Sequence, residues 1–470
     1  MLSLRGYGTR LCDGLSRREM LRVGGLSALG LSLPQLIAGG QTRAGESIPT
    51  AGRPGSAKSC IILFMLGGPP QHSTWDPKPG APAEIRGEFK SIDTVVPGIS
   101  LCELMPQTAL LADRISLIRS VASNDNAHSS SGYYMMTGQP HAPMNFENAN
   151  PGPPNDYPTM GAIVRKMERT TSGLPASVTL PHRIFNTDGS FWPGQDAGFL
   201  GRSTDPWLLN CKPADPDFRV NEFSLGVDVS AERLLDRQAL LGKVNEKLDE
   251  VERSGRPGYY AKLTDQAFHL LNSAKSRQAF RLDQEPDSVR DRYGRSQFGQ
   301  SVLLARRLIE AGVKLVQVNW YRGPDEPSDA PCWDSHAREA QRLKTVLAPP
   351  MDQGYSALLS DLESRGMLDE TLVVNMAEFG RTPRFNAVGG RDHWGHVYSI
   401  ALAGGGIRGG FVHGASDPIG AYPREGRVAP QDVTATIFHC LGYDPQTEIH
   451  DTLGRPLALS RGEVIRSVLA

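Results

Sequence analysis

The sequence predicts an α/β sandwich around a mostly parallel sheet, with a helical insertion, and three observations lead there. Apolar runs of strand length recur along the chain, stopped by Gly, Pro, Asn or Asp, and stretches with apolar residues at helical spacing separate them. Strands that alternate with helices are joined by crossovers and pair in parallel. With 470 residues, 39% hydrophobic and 21% charged, the chain can bury one large core or two of ordinary size. Lys and Arg number 50 against 51 Asp and Glu, a formal charge of -1, so no general pull toward nucleic acid or anionic lipid is expected. No basic stripe supports nucleic-acid binding.

The first segment is not part of that fold. Ser16-Arg17-Arg18-Glu19-Met20-Leu21-Arg22 resembles the twin-arginine export motif, and the run from Val23 to Gly40 behind it is apolar but rich in Gly, Ser and Ala. Gly24, Gly25, Gly30 and Pro34 would make it a poor core helix. Residues 1–45 are therefore read as a twin-arginine signal segment, with Arg17 and Arg18 as its signal residues. The partner this implies is the twin-arginine translocation machinery, and the location periplasmic or secreted. Ala38-Gly39-Gly40 and Thr42-Arg43-Ala44 are both imperfect cleavage patterns, so retention as a membrane anchor through the leader stays open. No later apolar run reaches the roughly 18 residues that span a bilayer.

Residues 46–57 read as a Gly/Pro/Ser linker and 58–470 as one α/β domain. Cys60 to Leu66 is a continuous apolar run ended by Gly67-Gly68-Pro69-Pro70, a buried strand opening into a loop. Leu104 to Leu111 is expected to be helical and Ile115 to Val121 a second buried strand. From about 142 to 216 the density of Pro, Gly, Asn and Asp predicts an irregular excursion, and from 231 to 282 amphipathic helices form an insertion; together they occupy about 142–296. Gln297 to Ala311 continues as helix into the strand Val313 to Asn319. Met351 to Arg365 is a helix that Gly366 ends, followed by the strand Leu372 to Met376. Val397 to Ala403 is another strand, and Asp432 opens a helix that Gly442 closes. The run Gly404 to Gly410 lacks the Lys-Ser/Thr of a phosphate loop and is read as a tight connection. Six cysteines lie far apart, with no Cys-x-x-Cys pair.

In open α/β sheets the site lies beyond the carboxyl ends of the strands. Those positions deliver His72 and Asp76, then Asn124 to His128-Ser129, then Asp334 and His336, then Glu378 and Arg381, then Asp392, His393 and His396. Imidazole with carboxylate suits a divalent ion such as zinc, manganese, iron or calcium, able to polarise an ester oxygen or activate water. Asp392 is placed to orient His393 and leave His396 free as ligand or acid. Isolated histidines such as His182, His269 and His439 are read as structural.

At these residues the sequence resembles the bacterial domain-of-unknown-function 1501 family, itself similar in fold to the alkaline phosphatase and sulfatase superfamily. The resemblance covers almost the whole mature chain. It rests on Gly67-Gly68-Pro69, Trp75-Asp76-Pro77-Lys78-Pro79, Trp333-Asp334-Ser335-His336, Ala377-Glu378-Phe379-Gly380-Arg381-Thr382-Pro383, Gly390-Arg391-Asp392-His393-Trp394 and the Gly404 to Gly410 run. It implies an alkaline-phosphatase-like three-layer sandwich. His128 stands where sulfatases place a modified cysteine, ahead of Ser131 and Thr137-Gly138, and a histidine cannot become formylglycine. Gly67-Gly68 stands where the superfamily carries metal-binding aspartates, and Phe379 follows Glu378 in place of Asn or His.

The resulting expectation is an exported metal-dependent hydrolase of a phosphate or sulfate ester of a small molecule or glycan. Its metal would be held among His72, Asp76, Asp334, His336, Glu378, Asp392 and His393. His128 or Ser129 would be the nucleophile or orient it, Arg381 would steady the oxyanion, and His393 or His396 would protonate the leaving group. The alternative is a non-catalytic exported protein that uses the same cleft to bind a glycan or protein partner.

Overall fold

The continuous apolar run at the start of the domain forms β1 (Ser59–Phe64), buried along its whole length. Such burial requires neighbours on both edges and cover on both faces. The computed structural model describes residues 55–168, 173–186, 188–220, 274–320 and 332–470. These belong to one unit, Ala51–Ala470. Arg17, Arg18 and most of the insertion helices expected at 231–282 lie outside the described residues. No helix among the described residues is long and apolar enough to cross a membrane.

After β1 come β2 (Ile115–Val121), α1 (His128–Thr137), α2 (Met160–Met167), β3 (Ser177–Leu180) and β4 (Trp207–Leu208). Then follow α3 (Gln297–Glu310), β5 (Leu315–Asn319), α4 (Ala348–Ser364) and β6 (Thr371–Met376). The chain closes with the short β7 (Gly380–Arg381) and β8 (His393–Trp394), β9 (Tyr398–Ala403), β10 (Phe411–His413) and α5 (Pro430–Cys440). Eight strands make one sheet in the order β10-β2-β9-β6-β1-β5-β3-β4. All neighbours pair in parallel except β9, which runs against both β2 and β6. α3 packs on β1 and β5 and against α4, α2 packs on β3 and β5, and α5 packs against α1. The result is the expected α/β sandwich around a mostly parallel sheet.

Two segments depart from the sequence reading. The stretch 142–216 is not irregular throughout: it supplies α2, β3 and β4, two of these being strands of the main sheet. β3 is only four residues long and runs directly into Pro181, so its strand character comes from pairing with β5 and not from local pattern. The helix expected over Leu104 to Leu111 is shortened to Pro106–Ala109. The Gly404–Gly410 run folds as a tight connection: φ is positive at Gly404, Gly405, Gly406 and Gly410, and a Cβ on Gly404 would stand 2.3 Å from the Leu368 carbonyl. Cys60, Cys102 and Cys440 are buried free thiols.

Candidate functional site

Three side chains meet beyond the carboxyl edge of the sheet. His128 is the first residue of α1, delivered by the loop after β2; Asp334 follows β5; His393 opens β8, in the connection that leads into β9. One ligand atom from each lies within 4.8 Å of the others. The Asp334 carboxylate is the hub. Its Oδ2 stands 3.3 Å from His128 Nε2, close enough for an ion pair but not aligned as a hydrogen bond. Its Oδ1 lies 3.1 Å from His393 Nε2, 3.0 Å from His336 Nε2 and 2.6 Å from the Arg381 guanidinium. Glu378 and Arg381 form a fully buried floor, while His336 and Asp392 stand at an open rim, their side chains 44% and 58% exposed.

Each imidazole is oriented through its Nδ1. His128 Nδ1 is 2.9 Å from Glu378 Oε1, which also accepts from the backbone N–H of Gly67 at 2.8 Å. His336 Nδ1 is 2.9 Å from Asp392 Oδ1, and His393 Nδ1 donates to the Asn126 carbonyl at 2.7 Å. An acceptor at Nδ1 fixes the proton there and turns the Nε2 lone pair forward, the arrangement found behind metal-bound histidines.

The electrostatics follow from the same contacts. Burial pulls the pKa of His128 down, but the Asp334 and Glu378 carboxylates outweigh it and push it up to about 9. Burial alone would raise Asp334; Arg381 and the three imidazoles instead hold it far below the usual carboxylate range. Burial, with His128 and Arg381 adding to it, lowers His393 to about 4 against the opposing pull of Asp334. His336 is raised by its bond to Asp334.

The donor set fits a divalent ion. The Asn126 carbonyl can only accept, so Nδ1 of neutral His393 carries the proton. Its Nε2 lone pair then faces Asp334 Oδ1, a second acceptor, at 3.1 Å, with His336 Nε2 2.9 Å away. A cation held between His128 Nε2, Asp334 and His393 Nε2 would resolve that opposition and replace the second proton of His128. Ligands about 2.1 Å from a tetrahedral zinc ion stand about 3.4 Å apart, the scale of these separations.

The other residues singled out from the sequence lie elsewhere. The buried His72 Nε2 donates to the Ile419 carbonyl at 2.8 Å. Asp76 pairs with Lys78 at 2.9 Å and accepts from Ser416 Oγ at 2.5 Å. Ser129 Oγ faces away from the cluster: it donates to the Phe146 carbonyl at 3.0 Å and accepts from Ala149 N–H at 2.9 Å, tying the 146–149 loop to the start of α1. His396 pairs with Asn124 Oδ1 at 3.2 Å. Arg381 is present but fully engaged, donating to the carbonyls of Gly67, Gly68 and Arg391 as well as to Asp334, so it fixes the Asp334 carboxylate instead of facing open space. Arg391, from the same motif as His393, is buried against Glu339 at 3.0 Å.

One contributor, Glu147, carried no readable signal, and the steric role of Gly67 was not readable from its motif. Glu147 accepts from the His128 backbone N–H at 2.7 Å and lies 3.7 Å from His393 Nδ1, yet it sits in an exposed loop without pattern. Gly67 has φ +107°, and a Cβ there would stand 2.3 Å from the Asp334 backbone nitrogen. A carboxylate-bearing residue at Gly67 is therefore sterically excluded, which accounts for the glycine where the superfamily resemblance suggests an aspartate.

The sequence profile of a family described as "Protein of unknown function (DUF1501)" matches residues 57–469. The chain belongs to this family. No curated protein matches the sequence. Solved structures similar to this DUF1501 chain include Ps i-CgsB, 12% identical over 82% of this chain and 72% of that one, with a TM-score of 0.41. The PsFucS1 sulfatase from Pseudoalteromonas sp. is 13% identical over 88% and 72%, with a TM-score of 0.40. A protein in the alkaline phosphatase superfamily from Vibrio parahaemolyticus is 10% identical over 85% and 72%, with a TM-score of 0.35. Likeness at this level assigns no activity to the DUF1501 chain.

Proposed function

We propose that this DUF1501 protein is an exported, metal-dependent hydrolase of a phosphate or sulfate ester. The observation that carries the reading is the convergence of His128 Nε2, His393 Nε2 and the Asp334 carboxylate, with each imidazole held at Nδ1 by a buried or backbone acceptor. Export follows the Arg17-Arg18 segment. The ester class follows the sequence resemblance, in which His128 occupies the position ahead of Ser131 and Thr137-Gly138; in the fold that residue faces the cluster from the first turn of α1.

In this reading His128, Asp334 and His393 hold the ion, which when bound supplies a Lewis acid for the ester oxygen and lowers the pKa of water. Glu378 and the Asn126 carbonyl keep the two Nε2 lone pairs forward, and Arg381 keeps Asp334 ionised. Ser129 Oγ is engaged by the 146–149 loop, so in this reading water takes the role of nucleophile. His336 stands at the rim with Asp392 behind it and is the group placed to move a proton between the reacting centre and solvent.

Elemental mass spectrometry of protein purified without chelators tests the reading, together with turnover of aryl phosphate and aryl sulfate esters. Bound divalent metal that is lost in His393→Ala, with turnover lost in both His393→Ala and His336→Ala, is expected. Well-folded protein with neither metal nor turnover would favour the second reading, a non-catalytic exported protein that binds a glycan or protein partner. The exclusion of a carboxylate at Gly67 is the observation on its side.

A further inference from the structure

A second group of side chains on the carboxyl-edge loops is not used by the His128–Asp334–His393 cluster. The rings of Trp394, His396 and Tyr422 pack together, with centroids 4.5 Å apart for Trp394–His396, 5.6 Å for Trp394–Tyr422 and 5.5 Å for His396–Tyr422. The group is held in place from behind. The Trp394 indole N–H donates to the Ala421 carbonyl at 2.6 Å, and His396 Nδ1 pairs with Asn124 Oδ1 at 3.2 Å. The loop carrying Tyr422 is pinned by the Asp417 carboxylate, which accepts backbone N–H bonds from Ile419, Ala421 and Tyr422 at 3.1, 2.8 and 3.2 Å.

Despite this order the group is open. Tyr422 is 52% exposed and the neighbouring Ile419 39%, while Trp394 and His396 are half-buried. The exposed Tyr422 ring and the half-buried Trp394 and His396 leave apolar ring area in contact with water that a ligand can cover. Its edge carries two polar atoms without a hydrogen-bond partner among the described residues, the Tyr422 hydroxyl and His396 Nε2. With Nδ1–H directed at the Asn124 carboxamide oxygen, Nε2 is an acceptor; the phenol both donates and accepts.

We propose that the exposed Tyr422 ring, edged by the Trp394 and His396 rings that cross it at 66° and 48°, forms a saccharide-binding site. A pyranose presents an apolar C–H face, which suits the electron-rich face of an aromatic ring, and a rim of hydroxyls, which suits Tyr422 Oη and His396 Nε2. Three rings are too few for a stable protein partner, which needs about 800 Å² from each side. Trp394 and His393 are consecutive residues of β8, so the aromatic group is joined to the proposed metal centre through one short strand. That the sugar carries the ester to be cleaved rests on the function proposed above; the binding itself does not.

An array of neutral, sulfated and phosphorylated oligosaccharides, probed with the full-length protein, tests this. The parent protein is expected to retain pyranose-containing members, Tyr422→Ala to weaken retention at least tenfold with an unchanged melting temperature, and Tyr422→Phe to weaken it less. Retention by His393→Ala after its metal is lost would support the saccharide site even if no hydrolysis is found. Absence of any retained saccharide, equal retention by parent and Tyr422→Ala, or binding of simple aryl compounds alone would overturn it.

Discussion

Replacing His72 by glutamine tests whether it is the metal ligand expected from the sequence or a buried structural histidine. His72 is 3% exposed; its Nε2 donates to the Ile419 carbonyl and its Nδ1 is buried without a partner. Burial, then the positive charges of Arg391 and Lys78, lower its pKa from 6.5 to about 3 against the opposing bond to Ile419. The folded state therefore binds this proton more weakly than the unfolded chain does. The stability contribution is fully present above about pH 6.5 and is lost as pH falls toward 3. Between pH 7 and pH 4.5 a single site with these two values loses about 2.5 kcal/mol of folding free energy. Glutamine offers an amide donor to the same carbonyl and does not titrate. Urea unfolding of parent and His72→Gln at pH 7 and pH 4.5 gives the difference directly, because every other titrating group is shared. The variant is expected to lose about 2 to 3 kcal/mol less than the parent over that interval, with metal content unchanged. Equal acid sensitivity would refute the buried neutral assignment, and loss of metal would return His72 to the ligand set.

Three further outcomes follow from the site and its supports. Glu378→Gln removes the carboxylate behind His128 and should weaken divalent-metal affinity about 10- to 100-fold in competition with a chelator; unchanged affinity would mean that His128 is not a ligand. Glu339→Gln leaves the Arg391 guanidinium buried without its counter-charge and should destabilise by about 3 to 5 kcal/mol in denaturant unfolding, whereas a loss under about 1 kcal/mol would show that solvent reaches the pair. Gly67→Ala, at φ +107° and 2.3 Å from the Asp334 nitrogen, should lower both melting temperature and metal affinity, and parent-like values would show that the 67–68 turn relaxes without moving Asp334.

Much of the sheet was legible because β1, β2, β6 and β9 are buried almost throughout, so each appears in the sequence as a short, mainly apolar stretch. β3 and β4 were not, since four and two residues carry no periodicity and their pairing is decided by β5. In the site, Asp334, His336, Glu378, Asp392 and His393 stood out by following or preceding strands. Their assignment to roles did not, because a motif does not state which way its side chains turn. Arg391 and Asp392 are adjacent in sequence, yet one is buried on Glu339 and the other stands at the rim with His336. Ser129 follows His128 in the same helical turn and points at a different loop.

The orientation of one strand decides whether this centre exists. The loops after β2, β5 and β6 deliver His128, Asp334 and Glu378 to the carboxyl edge, as parallel strands must. β9 lies between β2 and β6 and runs against both, so its amino end stands at that same edge and the loop leading into it, not the loop leaving it, brings His393 and Asp392 to the site. Had these six residues paired in parallel, the loop would open at the far end of the strand, about 20 Å away at roughly 3.3 Å per residue. His393 would then be out of reach of Asp334, and His336 would lose Asp392. Each orienting pair joins different strands: Glu378 after β6 to His128 after β2, Asp392 before β9 to His336 after β5, and Asn126 after β2 to His393 before β9. No single motif contains a complete pair, so the protonation pattern that makes the cluster suitable for an ion is a property of strand order and direction.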